Sequence, residues 1–193
     1  MKHLLFAIPL LFLGCKKISD KSQPPAALVV EESPPLINEK PELPEGALTA
    51  HFIGSQDSIY AFVKKVDLST ETTLIAFENE QLPEIAIPES IGAALHILKL
   101  KNFPNDVLLV NAKLKDTNFN EYYVFVWNDS VWKQPVNRFD IHKSNMTDTL
   151  IPIMNNPNDS TLLLRYYSVF NMDRKSEKKF TWKLMSESVP IDK

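Results

Sequence analysis

From Ala47 onward, apolar and polar residues alternate in short runs separated by clusters of turn-forming residues. A period of two sends successive side chains to opposite faces of an extended chain, so such runs read as strands. Ile59–Val66 and Thr73–Phe77 flank Asp67-Leu68-Ser69-Thr70. His96–Leu100 and Val107–Leu114 flank a hairpin-like loop from Lys101 to Asp106. Tyr122–Trp127 and Val131–Lys133 flank Asn128-Asp129-Ser130, and Leu150–Met154 and Thr161–Val169 flank Asn155–Asp159. Phe180–Met185 closes the series, and Ile85–Pro88 is expected to be extended. Asn, Asp and Ser tolerate left-handed backbone or hydrogen-bond the neighbouring amides, which is why they mark the turns. Ser90–Leu98 is open to two readings. Ile91, Ala94, Leu95 and Leu98 would share a helix face, but the segment also suits a strand, and Gly92 weakens the helix. Strands at short intervals with turns between them predict one all-β domain over 47–189, followed by a tail at 190–193. The expected architecture is an antiparallel β-sandwich or a bent β-meander sheet, open or two-layered.

A faint repeat of β-hairpin units runs through the domain. Asp106-Val-Leu-Leu-Val-Asn-Ala followed by Tyr-Val-Phe-Val-Trp127 parallels Ser160-Thr-Leu-Leu-Leu-Arg-Tyr followed by Lys-Lys-Phe-Thr-Trp182, with a weaker echo from Asp57. Three such units are too few to close a propeller ring.

Trp127, Trp132 and Trp182 lie with Tyr122, Tyr123, Tyr166, Tyr167, Phe125 and Phe180 in roughly the last seventy residues. Alternation puts Tyr123, Phe125 and Trp127 on one face and Phe180 and Trp182 on another, and these faces are expected to form core. Tyr122 and Tyr166 fall on the opposite parity. Together with Trp132 they are the candidate ligand-binding residues, because exposed aromatic surface serves saccharide or protein partners.

Residues 16–46 have a different texture. They contain Pro24, Pro25, Pro34, Pro35, Pro41 and Pro44, with Lys, Glu and Ser and no aromatic residue. Such a segment buries too little apolar surface to offset the entropy of ordering, so a flexible tether over 15–46 is expected. Fully extended, it would reach roughly 90 Å.

Ahead of the tether, Lys2 precedes the apolar stretch Leu4–Leu13, ten residues long and half of what a membrane-crossing helix needs. It ends Leu11-Phe12-Leu13-Gly14-Cys15. This run resembles the lipobox of bacterial lipoprotein signal peptides, in which a small residue precedes an obligatory Cys. Gly14 and Cys15 match, while Phe12 and Leu13 are bulkier than the family's usual residues. The resemblance covers residues 1–15 only. It implies removal of residues 1–14 and two or three acyl chains on Cys15, which is firm anchoring where one chain is marginal. Lys16, where Asp often marks inner-membrane retention, favours the outer membrane of a Gram-negative envelope, on its periplasmic or outer side.

Charge and reactive residues narrow the function. The formal net charge is −3, and nucleic acid, which asks for a basic face, is not an expected partner. The densest basic run, Arg174-Lys175-Ser176-Glu177-Lys178-Lys179, reads as a solvated turn or as a contact for anionic lipid. Cys15 is the only cysteine, so no disulfide forms within the chain. Asp140 and His142 would share a strand face, yet no His or Cys pattern supplies the three or four ligands a metal needs. His96 reads as a sheet histidine. No Gly-flanked serine nucleophile or Gly-rich phosphate loop occurs, and no cofactor is implied. The reading that results is a lipid-anchored, non-enzymatic binding or accessory module with an envelope protein or a saccharide as ligand. The alternatives are an envelope hydrolase whose carboxylates or Ser/His pair converge only in the fold, and an inhibitor or immunity lipoprotein.

Overall fold

The computed structural model describes residues 42–54, 58–80 and 82–191. The leader, Cys15 and most of the tether therefore lie outside the described residues. The fold is all-β, with three packed antiparallel sheets. Strands β1 (Leu48–Ala50), β2 (Ile59–Asp67), β3 (Thr72–Phe77) and β4 (Ile85–Ile87) form a meander in that order. The second sheet contains β5 (Ala93–Leu98), β6 (Val107–Lys113), β7 (Phe119–Asn128), β8 (Val131–Lys133) and β9 (Phe139–His142). Its long strand β7 pairs with β6 along one edge. Its other edge takes β9 near the start and β8 at the end. The third sheet is β10 (Ile153–Asn155), β11 (Leu162–Met172) and β12 (Phe180–Pro190).

Two hydrophobic cores result, one on each face of the second sheet. Leu108, Val110, Ala112, Tyr123 and Phe125 pack with Phe52, Ala61, Ile75, Phe77, Ile85 and Ile87 of the first sheet and its flanks. Their neighbours of opposite parity, Val107, Leu109, Tyr122, Val124 and Val126, pack with Phe139, Ile141, Ile153 and Leu163. The second sheet is thus the middle layer. This extends the expected open or two-layer sheet to three layers. The signal was present in the sequence: Val107–Val110 and Tyr122–Val126 are continuous apolar runs, as strands covered on both faces require.

The strands match the expected segments with two additions. β1 and β9 were not anticipated; at three and four residues they carry little periodicity, and pairing to β2 and β7 defines them. Ser90–Leu98, open between helix and strand, is strand from Ala93. Its helical spacing loses to the ladder with β6, which begins where Lys113 N–H donates to Gly92 O (2.8 Å). Both units of the faint repeat are hairpins, but not in equivalent register. Phe125 pairs with Leu108, far from its turn, whereas Phe180 pairs with Met172 beside its turn.

The turns use local chemistry. Asp67 Oδ1 accepts from Ser69 Oγ (2.6 Å), Ser69 N–H (3.0 Å) and Thr70 N–H (3.3 Å), closing the β2–β3 turn. The Ser69 hydroxyl first, then Lys65 and the amides, holds the Asp67 carboxyl well below the usual range. Between β7 and β8 the chain reverses through Asp129 (φ 51°) and Ser130 (φ 63°), two left-handed residues in succession, as a two-residue type I′ hairpin needs.

Candidate functional site

A cleft of about 470 Å³ opens at the end of β7. Val126, Trp127 and Asn128 come from β7, and Lys133 from β8. Asn102–Asp106 come from the β5–β6 loop, Ser160 and Thr161 from the turn before β11, and Ile191 from beyond β12.

Each wall is held from behind. Leu100, in the second core, pins the start of the loop, and Phe103 N–H donates to its carbonyl (3.1 Å). Asn102 Nδ2 donates to Ser160 O (2.6 Å) and its Oδ1 contacts Asn155 Nδ2, while Lys101 N–H donates to Asn155 Oδ1 (3.0 Å). These bonds join the loop to the turn facing it. At the loop's far end Asp106 accepts from His51 N–H (3.0 Å) and pairs with Lys99 (3.1 Å). Burial pushes the Asp106 carboxyl up, but these partners outweigh it and leave it below the usual range. Gly54, at φ +74°, lets the preceding segment pass close to the loop; a Cβ there would sit 3.3 Å from Asn105 Oδ1.

Trp127 lines the cleft at the end of β7. It meets its cross-strand partner Trp132 edge-on, with centroids 5.2 Å apart. Trp132 is stacked on Phe77 (4.5 Å, 17°) and lies edge-on to Phe52 (6.0 Å), deep against the first core. The Trp127 ring is therefore buttressed from the first core. Phe103, Pro104, Val126 and Ile191 complete the apolar lining, with the polar residues Asn105, Asn128, Ser160 and Thr161 among them, the Thr161 hydroxyl donating to Asp159 Oδ1 (2.6 Å). Both charged groups are already engaged, Lys133 with Asp129 (3.1 Å) and Asp106 with Lys99. An aromatic lining beside amides and hydroxyls with no spare charge suits a neutral ligand with an apolar face and hydrogen-bonding edges.

The three candidate residues from the sequence do not converge. Tyr122 is 3% exposed, stacked on Phe139 (5.5 Å, 24°), with its hydroxyl 3.6 Å from Met146 Sδ. Opposite parity does not expose it, because β7 is covered on both faces. Trp132 supports Trp127 from the first core, and Tyr166 is half-buried against the second. Trp127 and Phe103 escaped the sequence reading, the first assigned to core by parity and the second to a loop.

Titratable residues gather elsewhere. Glu121 and Asp140 are cross-strand partners on β7 and β9. Glu121 accepts from Tyr123 Oη (2.9 Å) and pairs with Arg138 Nε (3.2 Å), so both carboxylate oxygens are occupied. Burial raises the carboxyls of Glu121 and Asp140 and pushes the Tyr123 hydroxyl up to about 12. His142 shares a face with Asp140, but its Nδ1 lies 2.8 Å from Ser144 Oγ and its ring stacks on Trp182 (5.3 Å). His96 is an exposed residue of β5. Among the described residues no group of three His, Cys, Asp or Glu could hold a metal ion, and no helix is long and apolar enough to cross a membrane. No protein-family model matches the chain, and neither does any curated protein or solved structure.

Proposed function

We propose that this chain is a lipid-anchored, non-enzymatic binding module of the bacterial cell envelope, and that its cleft takes a neutral saccharide. The observation that carries the ligand class is a cleft lined by Phe103 and Trp127 beside Asn105, Asn128, Ser160 and Thr161, with Lys133 and Asp106 already paired. A sugar's C–H face packs on an aromatic ring, and its hydroxyls exchange hydrogen bonds with amides and hydroxyls. Anchoring rests on the lipobox-like Leu11–Cys15, and the Pro-rich tether would hold the domain away from the membrane.

The competing hydrolase reading would place its carboxylates at Glu121 and Asp140. The occupied oxygens of Glu121 favour a structural role there instead.

The test is a glycan array probed with the membrane-extracted full chain, repeated with Trp127→Ala. Binding to a neutral glycan that weakens at least tenfold in the variant supports the reading. No glycan bound, or binding indifferent to Trp127, overturns it. The anchor is tested separately by intact mass with and without Cys15→Ala. A mass beginning at Cys15 plus acyl chains, lost in the variant, is expected.

A further inference from the structure

The turn between β11 and β12 carries the basic run that the cleft does not use. Both strands have eleven residues, but β10 pairs only with Leu163–Arg165, so the far half of the hairpin is a two-stranded ribbon. Phe170 pairs with Trp182 and Met172 with Phe180, which puts all four on one face of that ribbon. The other face carries Val169, Asn171, Thr181 and Lys183.

The apolar face is built outward from the body. Trp182 stacks on His142 and meets Phe119 edge-on (4.9 Å). Phe170 lies edge-on to Trp182 (5.8 Å) and stacks with Phe180 (5.2 Å, 28°). Beyond this root the face is open: Phe170 is 53% and Met172 69% exposed. Other exposed apolar side chains, such as Leu68, Val131 and Ile151, lie apart from this ribbon, on the β2–β3 turn, at the start of β8 and in the segment before β10. Around the Phe170–Met172 tip stand Arg174, Lys175, Lys178, Lys179 and Lys183 against Asp173 and Glu177, a local charge of +3 on a chain of net −3. Among the described residues, none of these five cations forms an ion pair.

We infer that the β11–β12 hairpin tip is a docking site for an anionic lipid surface, with Phe170 and Met172 entering the headgroup–acyl boundary and the lysines contacting the headgroups. Charge complementarity selects that occupant. Apolar side chains at the end of a thin ribbon can enter a bilayer to shallow depth, the amphipathic Trp182 ring at the root suits the interfacial level, and long cations can lay their stems along apolar surface with their heads at the headgroups. Each cation near an anionic surface contributes about 1 kcal/mol, so removing two of them weakens partition roughly 30-fold, and reversing two weakens it further. The inference does not rest on Cys15 or on the cleft. It gives a tethered domain a second, reversible contact that fixes its orientation.

The test uses the full chain with Cys15→Ser, which has no other cysteine, and places one polarity-sensitive fluorophore at Met172→Cys or, as control, at the equally exposed Leu68→Cys. Each is reconstituted into phosphatidylcholine vesicles with and without phosphatidylglycerol. The expected result is a blue shift at position 172 only, only with phosphatidylglycerol, and lost on adding Lys178→Glu and Lys179→Glu. No shift at 172, an equal shift in both lipids, or an equal shift at 68 overturns the inference. The apolar leader is common to all samples and cannot produce the difference.

Discussion

Arg138 Nε lies 3.2 Å from the carboxylate of Glu121, whose side chain is 8% exposed, and Arg138 Nη1 reaches both Tyr123 Oη and Glu89 at 3.1 Å. One guanidinium thus compensates a carboxylate buried at the rim of the first core. Burial raises the Glu121 carboxyl, and Tyr123 and Arg138 offset only part of that rise. The folded chain therefore holds this proton more tightly than the unfolded chain. The group's contribution to stability is most favourable below the ordinary glutamate value and falls as pH rises through the raised folded value. Arg138→Met removes the compensating charge. Its cost is expected at about 2 kcal/mol at pH 7, held below the range for fully buried pairs because Arg138 is half exposed. The cost should shrink at pH 4, where Glu121 is largely protonated. Urea denaturation at both pH values checks this, and equal losses would point to the packing of the Arg138 stem.

Ser130 occupies the second position of the type I′ turn at φ 63°, next to Asp129 at φ 51°. A side chain in that region costs about 1–2 kcal/mol, and glycine avoids it at the expense of a floppier unfolded chain. Ser130→Gly should therefore stabilise by about 1 kcal/mol, seen as a rise of a few degrees in the thermal midpoint. A fall would mean that the Ser130 side chain has a role the turn geometry does not reveal.

Ser90 and Thr73 are both fully buried. Ser90 Oγ accepts from Thr73 N–H (3.1 Å) and lies 2.8 Å from both Ile87 O and Thr73 Oγ1, so it holds the end of β4 against β3. Ser90→Ala leaves these groups short of a partner away from water, and a loss of about 2 kcal/mol is expected. Adding Thr73→Val removes one orphaned hydroxyl and should recover part of it. A double-mutant cycle in chemical denaturation measures the coupling, and strict additivity would show that the hydroxyls do not interact.

These turns and strands differ in how far the sequence announces them. Asp67–Thr70 and Asp129-Ser130 are local devices, each closing its own turn with its own side chains or backbone, and were legible as written. β9 is not local: Phe139 and Ile141 become strand because the edge of β7 is free to pair with them. The third layer was half legible, in the continuous apolar runs of β6 and β7, but nothing along the chain says which partner covers which face. The cleft was the least legible. Phe103, Trp127, Thr161 and Ile191 are far apart in sequence, and their shared lining exists only once the loop is joined to the turn through Asn102 and Ser160.

Tyr122 and Trp127 exchange the roles their parity suggests, and mutation should separate them. Tyr122 packs in the second core with its ring stacked on Phe139. Tyr122→Ala removes that ring from the second core, and should cost about 3–5 kcal/mol. Tyr122→Phe keeps the ring and loses only the polar contacts of the hydroxyl, one of them the 3.6 Å approach to Met146 Sδ, so it should cost no more than about 1 kcal/mol. Trp127 is half-buried at the cleft and already backed by Trp132. Trp127→Ala should cost less stability than Tyr122→Ala and, on the proposed saccharide reading, weaken glycan binding at least tenfold. Thermal unfolding of the three variants, read beside their glycan binding, decides it. A Tyr122→Ala protein that is stable but binds no glycan would return Tyr122 to the ligand side and overturn the placement of the site.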